Sequence, residues 1–188
     1  MSTKVRATIE DLYNVPENGK AEIVNGELVR MPPTGGKPGL AGGKIFIALD
    51  RHATKTGHGY AFPDNVGFIV HLPNRDSFSP DAAYYIGAEI SGKFPEGAPI
   101  FAVEVRSESD YGPRAEQKIA AKISDYFAAG TLVVWDVDVL KEEVIRVYRA
   151  NDPANPTVYR RGEIAEAEPA LPGWSMNVDD AFSWTVTK

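Results

Sequence analysis

Two carboxylates in this 188-residue sequence stand where a carboxylate is costly. Glu104 interrupts the run Phe101-Ala102-Val103-Glu104-Val105, whose other residues suit a strand buried on both faces. Asp81 follows Pro80 at the head of a second strand-like run that ends at Ile86. A buried carboxylate loses its hydration and needs a cation or a metal to replace it. The pair therefore reads either as hard-oxygen ligands or as halves of structural ion pairs with Arg106 or a lysine, and position alone leaves both open. Lys122 lies in a helical stretch downstream, with Lys118 one turn before it and Tyr126 one turn after, all on one helix face. A solvated helix face explains such lysines equally well. Glu22 alternates with Ile23 ahead of the Asn25-Gly26 turn, where an exposed hairpin glutamate is ordinary, as it is for Glu27 beyond the turn.

Other chemistries are thinly represented. The absence of cysteine removes disulfides, thiolate zinc sites and thiol nucleophiles. His52 and His58 are wrongly spaced for one helix face, and His71 stands apart from them. There is no Gly-x-Ser-x-Gly elbow, and the stretch Gly39 to Phe46 lacks the spacing and the hydroxyl of a phosphate loop. The formal net charge of −6 argues against nucleic-acid binding by bulk electrostatics, while leaving room for a local basic groove. No apolar run approaches the roughly 20 residues of a membrane helix, and Met1 to Glu10 is charged with no apolar signal core. The expectation is a cytoplasmic protein with no membrane partner.

The elements that must hold these residues follow from pattern. Thr8 with Glu10 and Asp11 predicts a short helix that stops before Pro16. Asn25-Gly26 predicts a hairpin. A helix is expected from about Leu40 to Thr56, weakened by Gly42 and Gly43. Tyr60 to Pro73 is strand-like with a break at Pro63-Asp64. Residues 98–107 form the clearest strand, and Pro113 to Ala129 a helix with Gly130 at its end. Thr131 to Asp138 and Glu142 to Arg149 are further strands, and the tail adds one or two short ones. The strand–helix–strand unit over 99–138 implies a right-handed crossover and a parallel pair. One α/β domain over residues 1–188, a mixed sheet flanked by helices, accounts for the order.

The ordered segments "AEIVNGELVRMPP", "SPDAAYYI", "FAVEVRSESD", "KISDYFAAGTLVVWDVD" and "LPGWSMNVDDAF" resemble the Uma-two family of restriction-endonuclease-like bacterial proteins, within the PD-(D/E)XK nuclease superfamily. The resemblance runs from about Thr8 to Phe182. It implies a restriction endonuclease-like core and an endonuclease that uses Mg²⁺ (or Mn²⁺) to hydrolyse DNA phosphodiester bonds. Pro80-Asp81 matches the PD element and Glu104 the next acidic element. Arg106 stands where many superfamily members carry a lysine; in this family the lysine lies on the following helix, which Lys122 and Tyr126 match. The implied metal ligands are Asp81, Glu104 and the Val105 carbonyl, with Glu22 completing the shell and Lys122, or else Arg106, supplying the cation. The superfamily also implies a homodimer. The sequence departs from the family at Ser107-Glu108-Ser109, at Asn25 and at Lys118. The competing expectations are a non-catalytic binding or structural protein that keeps the fold, and a metal-dependent phosphoesterase acting on a small substrate.

Overall fold

Local chemistry decides the first elements of the computed structural model, which describes residues 5–16 and 19–184. Thr8 caps α1 (Ile9–Tyr13) in a capping box. Its hydroxyl accepts from the Asp11 amide, and the Asp11 carboxylate accepts from the Thr8 amide. Asn25 and Gly26, at φ +52° and +73°, make the expected tight turn between β1 (Ala21–Val24) and β2 (Glu27–Arg30). Helix α2 (Gly36–Thr56) begins about a turn earlier than its glycines suggest. Packing overrides propensity there. Gly42 lies against the chain at Asp81, where a Cβ would sit 3.5 Å from the Asp81 carbonyl oxygen.

The chain continues through β3 (Tyr60–Pro63), β4 (Phe68–Leu72), β5 (Arg75–Phe78), β6 (Ala82–Tyr85), β7 (Phe101–Val105), α3 (Pro113–Ala128), β8 (Val133–Asp138) and β9 (Val144–Arg149). The tail holds β10 (Asp152–Tyr159), β11 (Ile164–Glu166), β12 (Ser175–Asn177) and α4 (Val178–Ala181), more than the one or two strands expected. Strand β5 carries no strand signal in its residues. Pro73, Asn74, Asp76 and Ser77 are turn formers, and pairing with β1 and β4 overrides them.

The main sheet has the order β10-β9-β8-β7-β6-β3, and a smaller one the order β2-β1-β5-β4. Strands β7 and β8 are parallel and joined through α3, as the strand–helix–strand pattern requires; the other pairs are antiparallel. The larger sheet is thus mixed and flanked by helices, as expected. The strand alternation sorts its two faces. Val103 and Val105 of β7 and Trp135 and Val137 of β8 join Ile45 and Leu49 of α2 in one core. Ala102 and Val134 face the other way, into a core with Ile123 and Tyr126 of α3 and Phe78 of β5. Glu104, Arg106 and Asp136 continue that second face by alternation, so the side of the sheet beneath α3 turns from apolar to charged along β7 and β8.

Candidate active site

The charged end of that face is a lateral row of three carboxylates. Glu104 and Asp136 are register partners on parallel strands. Asp81 lies one residue before the Ala82–Val103 pair, and its amide donates to the Val103 carbonyl at 2.9 Å. Like charges abreast on a sheet repel, and each member of the row has its own cation. Lys20 lies 2.6 Å from Asp81 Oδ1, Lys122 2.7 Å from Glu104 Oε2, and Arg106 Nε 2.7 Å from Asp136 Oδ1.

Asp81 is fixed from two sides, since its Oδ2 also accepts the Val105 amide at 2.7 Å. Glu104 accepts the Tyr126 hydroxyl at 2.6 Å through Oε1. Tyr126 is itself held by its ring, stacked on Phe78 at 3.9 Å between centroids. Lys122 and Tyr126 reach the same carboxylate because they are four apart on α3.

Glu22 is brought to this cluster but is committed within it. Its oxygens meet Lys122 Nζ at 2.9 Å, Arg75 Nη1 at 2.6 Å and the Ser79 amide at 2.8 Å. Arg75 in turn reaches Asp125 of α3 at 2.9 Å. Among the described residues no three His, Cys, Asp or Glu side chains gather around a common ion position. Glu22 and Glu104 thus share the Lys122 ammonium.

These contacts set the protonation states. Burial raises the Glu104 carboxyl, and the Asp81 and Glu22 charges add to that, so Lys122 and Lys20 do not bring it back to the usual value. Burial would also raise Glu22, but Lys122, Arg75 and their hydrogen bonds outweigh it and hold it low. Burial would lower Lys122, yet Glu104 and Glu22 hold it above its ordinary value. Lys122 is thus a stable ammonium at neutral pH. Tyr126 is held strongly protonated by burial and by the Glu104 and Glu22 charges.

The row opens into a cavity of about 260 Å³. Asp81, Glu104, Val105 and Lys122 line it, with the Met31–Thr34 segment as another part of its wall. Arg106 also touches it but is committed to two carboxylates. Its guanidinium clamps Asp136 with two nitrogens and holds Glu116 of α3 with two more contacts. Lys118 lines the cavity too, is exposed, and makes no ion pair among the described residues.

Sequence reasoning named Asp81, Glu104, Lys122 and Glu22, and the fold brings all four together. It missed Lys20 and Arg75. Lys20 could have been found, since it stands two residues before Glu22 and strand alternation puts both on one face. Arg75 could not, because nothing in its surroundings announces β5.

The donor set suits a hard divalent cation. Two carboxylates face one cavity with side chains 14% and 24% exposed, and Mg²⁺ is commonly held by one or two carboxylates while keeping several waters.

A solved structure from Anabaena variabilis ATCC 29413, titled "a putative nuclease belonging to DUF820", matches this fold with a TM-score of 0.74 at 20% identity, covering 95% of this chain and 98% of that one. No curated protein matches the chain. The Uma2 family, described as "Putative restriction endonuclease", matches residues 7–179. The segments that carry the carboxylate row, the α3 lysine and the Glu22 hairpin all fall inside that span, and this protein belongs to the Uma2 family.

Proposed function

We propose that this protein is a divalent-metal-dependent endonuclease that hydrolyses DNA phosphodiester bonds. The observation that carries the reading is the pairing of Asp81 and Glu104 on adjacent strands, facing one cavity with the Lys122 ammonium against Glu104. Asp81 and Glu104, with the Val105 carbonyl, would hold Mg²⁺ or Mn²⁺. Once bound, that ion would polarise the phosphate and lower the pKa of a coordinated water.

The remaining work falls to the chain's own groups. Lys122, held as an ammonium, is unsuited to act as a general base, and its role is to offset negative charge that builds on the phosphate oxygens. Glu22 keeps that ammonium charged and placed. Tyr126 holds Glu104 in one orientation through its hydroxyl. Lys118, which makes no ion pair among the described residues, suits a neighbouring phosphate of the strand. Arg106 is spent on Asp136, which favours Lys122 as the working cation. One cavity addresses one phosphodiester, so cutting both strands calls for a symmetric pair of chains or two successive events. The compartment that fits a DNA substrate is the cytoplasm.

A second reading has an observation in its favour. Every oxygen of Asp81 and Glu104 already has a partner within the chain, as expected of a protein that keeps the fold and has lost turnover. A plasmid-nicking assay with Mg²⁺ or Mn²⁺, on wild type and on Asp81→Asn and Glu104→Gln, separates the two. Metal-dependent nicking that both substitutions abolish supports the nuclease. Wild-type protein that binds DNA without nicking it under any metal condition supports the second reading.

A further inference from the structure

Lys20 is shared between an acid of the cavity and an acid of the protein surface. Its ammonium lies 2.6 Å from Asp81 Oδ1 and 2.7 Å from Asp64 Oδ1. The lysine side chain is only 12% exposed, whereas that of Asp64 is 43% exposed. Asp64 sits just past β3, one residue beyond the Pro63–Ala82 pair, so the sheet places it beside Asp81 on the neighbouring strand. Of the Asp81 oxygens, Oδ2 accepts a backbone amide that the sheet fixes in place, while Oδ1, among the described residues, is paired with Lys20. A divalent ion that takes an Asp81 oxygen must therefore contend with an ammonium already there, and the two positive charges repel. Lysine is suited to yield, being a point charge on a flexible four-carbon stem. Asp64 gives it a carboxylate to keep when it does.

We infer that Lys20 is a displaceable cation at the metal site: it neutralises Asp81 until a divalent ion enters, and then remains on Asp64 alone. The inference rests on the metal-dependent reading of Asp81 and Glu104. It assigns Lys20 a sign opposite to that of a residue that positions a ligand. A positioning lysine strengthens metal binding; a displaceable one weakens it.

Calorimetric titration of the full chain with Mn²⁺, without nucleic acid, distinguishes them. Wild type is compared with Lys20→Met, Asp64→Asn and, as a control, Asp81→Asn, each first shown to be folded by circular dichroism. Lys20→Met is expected to bind Mn²⁺ about tenfold more tightly than wild type, within the usual range of coupling between two ligands of one site. Asp64→Asn is expected to bind more weakly, because Lys20 then has only Asp81. This surface substitution keeps the test open should Lys20→Met not fold. Unchanged or weaker binding in Lys20→Met, or unchanged binding in Asp64→Asn, overturns the inference. If wild type still binds and Asp81→Asn does not, the metal reading survives that failure. Absence of binding in every protein overturns both.

Discussion

Glu104 and Asp136 are register partners under the same helix, yet they end in opposite situations. Asp136 is 1% exposed and gripped by the planar fork of Arg106, which Glu116 closes from the other side. Glu104 is held by a lysine and a tyrosine, and part of it looks into the cavity. A guanidinium matches both oxygens of a carboxylate at once and resists rearrangement. An ammonium and a hydroxyl each take one oxygen and can let go singly. The same row of acids thus yields a rivet at Asp136 and a more loosely held carboxylate at Glu104. Burial alone does not separate function from structure; the partner's geometry does.

The largest test of this contrast is Arg106→Met. It leaves the buried Asp136 with only the more distant Arg146 guanidinium, 3.8 Å away, and should cost about 3–5 kcal/mol of stability, read from urea unfolding. A loss well below that would mean that Asp136 is not a rivet. Next, Lys122→Arg keeps the charge but replaces the compact ammonium. It should preserve the fold and lower the nicking rate by about 10²–10³-fold, the scale for one lost charge-stabilising contact. Retained activity would move the working cation elsewhere.

The third test uses pH. Glu22 has a lowered folded pKa, so its stabilisation is complete above the ordinary carboxylate value of 4.5 and is lost as pH falls through the lowered one. Glu104 has a raised folded pKa, so it favours folding below 4.5 and loses that contribution as pH rises through the raised one. Glu22→Gln should flatten the acid limb of the stability curve and Glu104→Gln should steepen it, as measured by urea midpoints between acid and neutral pH. Shifts of the same sign would erase the distinction between the two acids. The smallest effect is expected of Lys118→Ala. It should weaken DNA binding a few-fold and reduce the log–log salt slope by about 1, without changing the turnover of bound substrate.

Much of this was readable beforehand because it rested on local rules. Asn25-Gly26 needs positive φ, and Pro113 and Gly130 bracket a helix. An acid in an apolar strand demands a reason, and Glu104 had one. What escaped was set by distant packing. Asp76 and Ser77 of β5 are turn formers that follow Pro73 and Asn74, and pairing with its neighbours makes the segment a strand, so Arg75 stayed hidden with it. The early start of α2 depends on the close approach of Gly42 to Asp81, which no helix propensity contains. The engagement of Arg106 with Asp136 was hidden too, because the place of Asp136 beside Glu104 is a fact of parallel register and not of sequence spacing.

The insertion of α3 between β7 and β8 also bears on the order of assembly. Lys122 and Tyr126 are 18 and 22 residues from Glu104, within a single strand–helix–strand unit. Lys20 is 61 residues from Asp81, and Glu22 is 57 from Ser79 and 53 from Arg75. Closing the shorter loops costs less chain entropy and favours earlier formation. The first half of the site can therefore neutralise itself as the unit collapses, while the hairpin bearing Lys20 and Glu22 docks last. A chain that has not finished folding would hold a capped Glu104 but an Asp81 still without Lys20, so competence at this site becomes a readout of the completed fold.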